Sequence, residues 1–473
     1  MKKIILLLIV NALALQSHAQ DAHYWTEQFG NKSMLLAGSV IGSVEDLGAV
    51  YYNPARLALQ DDPTFLISAK AYEYVTLKVK DGFDKKSLNN SKFNAAPSLA
   101  AGSFGLKKLP KHKFAYAFLS RTQVDYNLGV SDIRTYEFND GALWPGEEEL
   151  RTSLNISKKL RDEWMGFTWS YALDEKWSVG ISNFISQLSQ ENEYNLVQKA
   201  FGSQKNVGAF ERYRKRNYNI TSWLAKAGLN YTKGKLDVGL TITFPKVYIF
   251  GSGSSVYEES LAGYDRDRDG VQEEDDDVLL SNSTSDVAVD AKSPLSIGLG
   301  MGLQLGVHKL HLSGEWFNKM DRYNVMTPMP FMGQTPQIEV RNRVYDERKS
   351  VINFGAGVEW KLKNKLYGYT SFSTDFSYLI PSGEQITAER VVDNFDNSIF
   401  TADVFNFGFG FSLFFKKMEF TLGSVYSTGD QLIGKIVSLP DVTPTTPAEY
   451  SDLRWQRIRV LFGFSLPFYS FGD

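Results

Sequence analysis

Large apolar side chains alternate with small or polar ones over long stretches of this chain. In the stretch 401–414, every second residue is large and apolar: Phe405, Phe407, Phe409, Phe411 and Leu413. Because successive side chains of a β-strand point to opposite faces, this alternation predicts strands with one apolar face. The same alternation recurs at 296–306, 351–362 and 453–468.

The length of these alternating segments indicates what their apolar face contacts. About ten residues at a tilt of about 45° span the apolar part of a bilayer. A soluble sandwich would bury that face as its core, but it rarely makes the buried positions so uniformly large. We therefore predict an all-β fold, a transmembrane antiparallel β-barrel with an N-terminal hatch inside the lumen. Fourteen strands are predicted, at 64–81, 94–105, 112–132, 151–173, 176–200, 216–233, 236–260, 286–306, 308–328, 337–363, 365–380, 401–416, 417–433 and 453–468.

The connections between the predicted strands alternate between short and long. Asp174-Glu175 and Gly234-Lys235 are short turns, whereas 133–150, 261–285 and 381–400 are long loops. Short turns on one side and long loops on the other are typical of an outer-membrane barrel, and we expect both termini to be periplasmic. Tryptophans near strand ends are consistent with aromatic girdles at the two interfaces.

The N-terminus has the features of a secretory signal. A short basic start precedes an apolar run that ends near Leu15, and Ser17-His-Ala19 supplies the small residues of a cleavage site. We predict a signal peptide at 1–19, the hatch at 20–62 and the barrel at 63–473. No later stretch reaches the ~20 consecutive apolar residues that a helical span requires.

Composition excludes several classes of function. The chain has 473 residues, no Cys and a formal net charge of −3. Nothing therefore depends on disulfides or thiol chemistry, and a near-neutral charge argues against nucleic acid as a partner. The mean hydropathy of −0.26 is compatible with a membrane barrel, because only every second residue of a barrel strand faces lipid.

The segment from Gly38 to Leu59 ends in Asn53-Pro54-Ala55-Arg56-Leu57-Ala58-Leu59. Some 60 residues of this kind before a 14-stranded barrel resemble the FadL/TodX family of outer-membrane transporters for long-chain fatty acids and hydrocarbons. The resemblance implies that Asn53, Pro54 and Ala55 belong to a hatch that plugs the barrel. It also implies that a hydrophobic ligand enters from outside and leaves sideways through a gap in the wall. The glycine-rich inward faces of the predicted strands leave room for such a hatch.

This reading predicts passive outer-membrane transport of hydrophobic small molecules such as fatty acids or hydrocarbons. The expected partners are the ligand and outer-membrane lipid, around a monomeric barrel without a cofactor for transport. The main alternative is a non-transporting barrel that acts as a partner subunit of an outer-membrane secretion complex. An open diffusion porin is disfavoured by the hatch-sized N-terminus.

An acidic segment in the long loop 261–285 fits the spacing of a calcium loop. Carboxylates occupy positions 1, 3, 5, 9 and 12 of the loop, with Gly270 at position 6 for the turn and a backbone carbonyl at position 7. The predicted ligands of a structural Ca²⁺ are Asp265, Asp267, Asp269, Val271, Glu273 and Asp276. A solvated acidic loop tip is the alternative.

Two further groups of residues are candidates for substrate binding. Met329, Phe331 and Met332 lie in a predicted outer loop, where methionines adapt to irregular apolar shapes. Arg457 and Arg459 face the lumen from the last strand and can receive a carboxylate, or else pair with lumen acids.

We expect no enzymatic activity, because histidines are few in the predicted lumen. His311 is the single plausible lumen imidazole, beside Ser313 and Glu315 on the same strand face. Alternating positions on one strand do not form a catalytic relay.

Overall fold

The computed structural model describes residues 17–18, 22–60, 64–83, 86–136, 146–264, 273, 276–379, 400–415, 418–434 and 450–467. The N-terminal segment, residues 22–60, contains two short α-helices, α1 (Lys32–Leu35) and α2 (Ala49–Tyr52), and a 3₁₀ helix (Pro54–Leu59). None of the helices in the described residues is long and apolar enough to cross a bilayer. The predicted signal peptide lies almost entirely outside the described residues.

Strands make up most of the described chain. Their bounds are β1 (Ser17–His18), β2 (Thr64–Phe83), β3 (Lys86–Leu106), β4 (Leu109–Tyr136), β5 (Glu148–Ala172), β6 (Trp177–Phe201), β7 (Val207–Lys233), β8 (Leu236–Thr243), β9 (Val247–Ala262), β10 (Val278–Val287), β11 (Ser296–Leu305), β12 (His308–Phe317), β13 (Met320–Met326), β14 (Phe331–Met332), β15 (Glu339–Val340), β16 (Val344–Arg348), β17 (Val351–Lys363), β18 (Leu366–Asp375), β19 (Val404–Phe415), β20 (Met418–Gly434) and β21 (Tyr450–Pro467).

These strands close into an antiparallel barrel of fourteen strands, as the alternation predicts. One end of the barrel carries the short turns and is called the turn-bearing end. Around this end the strand order is β2 to β8, then β11, β12 and β17 to β21. The ring closes because β21 pairs with β2, so that Phe65 lies opposite Leu466. Closure at this end pairs each of the fourteen strands on both edges, which is the condition for a sheet in a bilayer.

Four predicted strands are interrupted, which the alternation did not show. The segment 236–260 is divided at 244–246 into β8 and β9, and 286–306 is divided at 288–295 into β10 and β11. Pro245 lacks the backbone N–H that a ladder requires, so the strand breaks there. The predicted strands 308–328 and 337–363 are also divided, into β12 and β13 and into β16 and β17.

The two faces of the barrel wall differ as the sequence pattern predicts. On β19, Phe405, Phe407, Phe409 and Phe411 are exposed on the outside, whereas Asn406 between them is fully buried. A continuous apolar outer band is typical of a barrel embedded in a bilayer. The inner face is polar and rich in glycine, and it contacts the N-terminal segment.

The N-terminal segment lies inside the barrel and is almost completely buried. Phe29, Leu35, Leu36 and Leu47 belong to one apolar cluster with inward-facing wall residues such as Leu99. An inserted segment needs hydrogen-bond partners for its backbone, because little water reaches it. The contacts that supply these partners are described next.

Candidate functional site

Asn53, Pro54 and Ala55 lie against the inner wall near the turn-bearing end. Asn53 is fully buried. Its Nδ2 donates to the carbonyl of Ile41 at 2.9 Å and its Oδ1 accepts from the N–H of Ala55 at 3.1 Å. Pro54 holds Asn53 in an extended conformation and begins the 3₁₀ helix. The motif therefore joins two turns of the N-terminal segment through one side chain.

Glycines of the wall make room for this motif. A Cβ on Gly180 would lie 2.5 Å from the carbonyl carbon of Pro54, and one on Gly228 would lie 2.2 Å from Oδ1 of Asn53. At Gly300, the Cβ would lie 2.4 Å from the backbone nitrogen of Gly42. The absence of side chains on these strands therefore allows two backbones to approach each other closely.

Hydroxyl groups of the wall hydrogen-bond the carbonyls of the N-terminal segment. Ser182 Oγ donates to the carbonyl of Val50 at 2.7 Å, and Thr241 Oγ1 donates to that of Tyr52 at 2.9 Å. Ser170 and Ser178 both donate to the carbonyl of Ala55, at 3.1 and 2.9 Å. The inserted backbone is thus satisfied by side chains from several strands rather than by its own short helices.

Charged groups hold the first residues of the segment. Glu27 accepts from both Arg457 and Arg459, each at 3.2 Å. Three strands away along the wall, on β18, Asp375 Oδ1 accepts from the backbone N–H of Tyr24 at 3.1 Å and of Trp25 at 2.9 Å. The segment 22–28 is therefore fixed to β18 and to β21.

A second set of ion pairs lies closer to the turns. Lys309 of the wall is 2.8 Å from Glu45 of the segment and 2.8 Å from Asp237 of β8. Arg56 lies 3.2 Å from the same Asp237, and Lys32 lies 3.0 Å from Glu45. These pairs join the segment to the wall below the apolar cluster.

His311 belongs to this contact surface. The expectation that it is the single lumen imidazole is wrong, because His23 of the N-terminal segment is buried inside the barrel and lines the cavity described below. The Nδ1 of His311 is 2.7 Å from Ser43 Oγ of the N-terminal segment. Its strand neighbour Ser313 accepts from the N–H of Ile41 at 3.0 Å. Both side chains therefore contact the inserted segment, and neither lines the cavity described below.

A cavity of about 100 Å³ lies between the N-terminal segment and the interrupted part of the wall. Tyr24 and Tyr51 of the segment form one side of it. The other side includes Lys246, which follows the break between β8 and β9, and Ser293, from the break between β10 and β11. The cavity therefore lies directly beside the interruption of the strand ladder.

The interruption leaves part of one strand edge unpaired. On the side of β10, the described pairing of β9 begins only at Gly253, so residues 247–252 have no ladder partner there. The facing segment 288–295 turns inward instead, and Val289 packs 3.0 Å from the Cβ position of Gly251. The N–H of Lys246 donates to Ser293 Oγ at 2.8 Å across the break.

The cavity is lined by aromatic rings and cations. Lys226 lies 4.3 Å from the ring centroid of Tyr51, and Arg121 lies 5.8 Å from the same ring and 5.9 Å from that of Trp164. Lys246 forms an ion pair of 2.8 Å with Asp162. Within the described part of the chain, by contrast, Arg121 and Lys226 have no ion-pair partner, and Nη1 of Arg121 has no hydrogen-bond acceptor.

The sequence-predicted substrate residues lie away from this cavity. Arg457 and Arg459 contact Glu27, and Arg457 also donates to the carbonyl of Thr26 at 2.6 Å. The structure thus shows that this arginine pair contacts acids: Glu27 comes from the inserted segment, and Glu73, 3.9 Å from Arg457, comes from wall strand β2. A direct role of the arginines in substrate binding stays a prediction.

The methionine-containing loop lies over β9 and β10. Phe331 packs against Tyr257 with 5.6 Å between ring centroids, and Met329 is 81% exposed. Met332 is also exposed and pairs through its backbone with Glu339. Met329 and Met332 therefore present apolar side chains at the surface of this loop. Their role in binding a hydrophobic ligand stays a prediction.

Most of the predicted calcium loop lies outside the described residues, including Asp265, Asp267, Asp269 and Val271. Of the remaining two ligands, Asp276 accepts through Oδ2 from the N–H of Glu273 at 3.0 Å. Among the described residues, no three acidic or histidine side chains form a group that could hold a metal ion. Calcium binding therefore stays a prediction.

Sequence reasoning missed Arg121, Lys226 and Lys246 as cavity residues. Arg121 and Lys226 are cations on inward faces of strands, which the alternation indicates, whereas Lys246 lies in the break between β8 and β9, which the alternation did not show. Which rings and acids they meet depends on strands far apart in sequence.

Comparison with known proteins agrees with this architecture. No family model matches the chain, and no curated protein does either. Among solved structures, the FadL homologue of Pseudomonas aeruginosa superposes with a TM-score of 0.56 at 12% identity, over 94% of this chain and 99% of that one. The toluene transporter TodX of P. putida gives 0.58 at 15% identity, with the same coverage of both chains. The toluene transporter TbuX of Ralstonia pickettii gives 0.54 at 12% identity, again over 94% and 99%. The resemblance seen in the sequence is confirmed at the level of structure, and this chain has the fold of the FadL-type channels.

Proposed function

We propose that this protein is an outer-membrane barrel that lets hydrophobic small molecules pass without cofactor chemistry. The observation that carries the proposal is the cavity lined by aromatic rings beside the interrupted wall. Two of the similar structures are described as toluene transporters, which supports the same class of cargo here. We propose that the barrel is oriented in the outer membrane so that its short turns and both termini face the periplasm.

The N-terminal segment acts as the hatch. It fills the lumen between the cavity and the turn-bearing end, where its carbonyls, Glu27 and Glu45 are bound to the wall. A ligand in the cavity therefore has no open axial route, whereas the unpaired edge at 247–252 lies beside it. Outward-facing Ile249 and Phe250 continue the apolar surface at this edge. We infer that the ligand leaves sideways, between β9 and the inward-turned segment 288–295.

The size and charge of the cavity indicate the ligand class. An apolar protein cavity of roughly 150 Å³ binds benzene, so about 100 Å³ suits one ring or a few methylenes at a time. Among the described residues, Arg121 and Lys226 have no ion-pair partner, and both lie over aromatic rings. A carboxylate is the group that such cations favour. Hydrophobic acids, including fatty acids, are therefore proposed cargo together with neutral hydrocarbons.

Capture begins at the outer loops in this proposal. Met329 and Met332 expose flexible apolar side chains above the wall strands that lead to the interruption. They would make the first contact with a ligand that later reaches Tyr51 and Trp164.

A disulfide across the interruption tests the lateral route. The backbone N–H of Lys246 donates to Ser293 Oγ at 2.8 Å across the break, so these two positions are chosen for the cysteines, whose Cβ atoms must come within roughly 4.5 Å of each other to form the bond. The chain has no native Cys to interfere. In cells that produce Lys246→Cys/Ser293→Cys, we expect uptake of radiolabelled toluene and oleate to fall on oxidation and to recover on reduction.

The reduced double variant is the matched control, because both side-chain losses are already present in it. Each single cysteine variant should be insensitive to oxidant. Equal uptake in the oxidised and reduced forms, with the disulfide verified by mass spectrometry, would contradict lateral passage at this site.

A further inference from the structure

The turn-bearing end of the barrel carries a concentration of lysines that transport does not use. In or beside four hairpin turns of the described chain, nine lysines are exposed, against two exposed acids in the same turns, Asp174 and Glu175. We call these nine residues the lysine rim: Lys107, Lys108, Lys111, Lys176, Lys233, Lys235, Lys361, Lys363 and Lys365.

The lysine rim differs from the opposite end of the barrel in how its charges are paired. At the long-loop end, several exposed lysines have acidic partners, as in Lys86–Asp132 at 2.6 Å and Lys199–Glu211 at 3.2 Å. None of the nine rim lysines forms an ion pair within the described ranges of the chain. Asp174 accepts instead from two backbone N–H groups of its own turn, each at 2.7 Å. The rim therefore presents uncompensated positive charge.

The lysine rim adjoins the apolar outer band. Leu106 directly precedes the first rim lysine, Trp177 directly follows Lys176, and Leu362 lies between two rim lysines, and all three apolar residues are exposed. Lys233 stands two residues after Tyr231 on the outward face of β7. A lysine at the end of such a band extends its aliphatic stem along lipid and places its ammonium at the head groups.

We propose that the lysine rim binds the phosphate groups of anionic phospholipids in the leaflet where it lies. The hairpins that carry it are β3–β4, β5–β6, β7–β8 and β17–β18, which are distributed over more than half of the ring. Exposed apolar residues of the outer band directly adjoin these lysines, so the anions within their reach are the head groups of the lipid that surrounds the barrel. With the proposed orientation, this leaflet is the phospholipid leaflet on the periplasmic side. Lipid binding by the lysine rim is a property separate from the proposed transport and does not depend on it.

Lipid selectivity of the reconstituted full chain tests the proposal. In phosphatidylcholine vesicles, the motionally restricted fraction of trace spin-labelled phosphatidylglycerol is compared with that of spin-labelled phosphatidylcholine. One lysine near an anionic lipid surface contributes about fivefold in affinity. We expect a preference of at least about fivefold for phosphatidylglycerol, lost when NaCl is raised from about 10 mM to about 0.5 M.

Two variants with six substitutions each identify the residues responsible. The rim variant should lose most of the preference, whereas a control with six exposed lysines changed at the other end should retain it. Unchanged heat-modifiability of both variants shows that the barrel is intact. The rim variant is Lys107→Gln, Lys108→Gln, Lys111→Gln, Lys361→Gln, Lys363→Gln and Lys365→Gln. The control is Lys78→Gln, Lys80→Gln, Lys86→Gln, Lys159→Gln, Lys199→Gln and Lys319→Gln.

Three results would overturn the proposal. The first is an equal preference in the wild type and the rim variant, and the second is an equal loss in both variants. The third is displacement of phosphatidylglycerol by inorganic phosphate beyond the effect of NaCl at equal ionic strength, because this would indicate a site for a soluble anion. Uptake of toluene is measured in parallel, and its outcome tests the proposed function separately.

Discussion

Glu27 of the N-terminal segment and Arg459 of the last strand form an ion pair of 3.2 Å in which both side chains are only 1% exposed. The two residues are 432 positions apart in the sequence. Glu27 also pairs with Arg457, which lies 3.9 Å from Glu73 of β2 as well, so two carboxylates compensate the two buried guanidinium groups. These pairs fix the start of the N-terminal segment to the strand that closes the barrel.

Removal of the Glu27 carboxylate should loosen the N-terminal segment without unfolding the barrel. Loss of one partner from a buried ion pair costs about 3–5 kcal/mol, whereas the strand ladder remains complete. We expect Glu27→Gln to increase leakage of small polar solutes, measured as conductance in planar bilayers. Glu211→Gln, which removes an exposed ion pair with Lys199, is the matched control and should leave conductance unchanged. Wild-type conductance in Glu27→Gln would show that the pair does not hold the hatch.

A methyl group on Gly228 should displace the hatch from the wall. Its Cβ would lie 2.2 Å from Oδ1 of Asn53, whereas a Cβ on Gly314 has its nearest neighbour at 3.7 Å, from Asn353. Overpacking of this kind costs roughly 1–3 kcal/mol. We therefore expect greater antibiotic sensitivity of cells producing Gly228→Ala than of cells producing Gly314→Ala at equal expression. The same sensitivity in both would mean that the close packing at Gly228 is not needed for the seal.

Asn53→Ala combined with Pro54→Gly should change passage but not barrel assembly. The substitution of Asn53 leaves the carbonyl of Ile41 and the N–H of Ala55 without their partner, at roughly 1–3 kcal/mol for each buried group. Loss of Pro54 frees the turn that follows. Heat-modifiability should stay at the wild-type level, while uptake of a hydrophobic substrate falls or polar solutes leak. If the double variant has both the uptake and the antibiotic sensitivity of the wild type, the motif only caps the barrel and does not control passage.

Arg121 and Lys226 should distinguish acids from neutral cargo. Because both cations line the cavity without an ion-pair partner among the described residues, we expect Arg121→Gln/Lys226→Met to lower uptake of oleate about tenfold or more, as loss of a charge-assisted hydrogen bond of about 1.5–3 kcal/mol implies. Toluene uptake should change little, which makes it the internal control. A parallel fall in both would assign the two residues to the structure of the cavity rather than to recognition of a carboxylate.

The acidic loop provides a test of calcium binding. With Asp265, Asp267, Asp269, Val271, Glu273 and Asp276 as ligands, protease resistance of the loop 261–285 should be lost on addition of a chelator. Asp267→Ala/Asp269→Ala should remove this response and leave the barrel resistant. Absence of calcium binding by calorimetry up to about 1 mM, the range of extracellular modules, would leave only a solvated acidic tip.

The alternation of Phe405 to Leu413 was sufficient to predict a barrel strand, because successive side chains of a strand point to opposite faces of the wall. The alternation also places the glycines that contact the N-terminal segment on the inward faces of their strands. The breaks near Pro245 and at 288–295 were not predicted. Periodicity in the flanking residues continues across them, and only the proline gave a local signal.

What the sequence by itself determined is the number of strands, the outward apolar band and the presence of a segment that precedes the barrel. These features depend on spacing along the chain and on the rule that a strand in a bilayer must pair on both edges. Tertiary structure decided that Arg457 and Arg459 meet Glu27, and that Arg121 and Lys226 line a cavity beside the broken ladder. Partners hundreds of residues apart are selected by the closure and register of the barrel, and no local pattern encodes which inward side chains then come into contact.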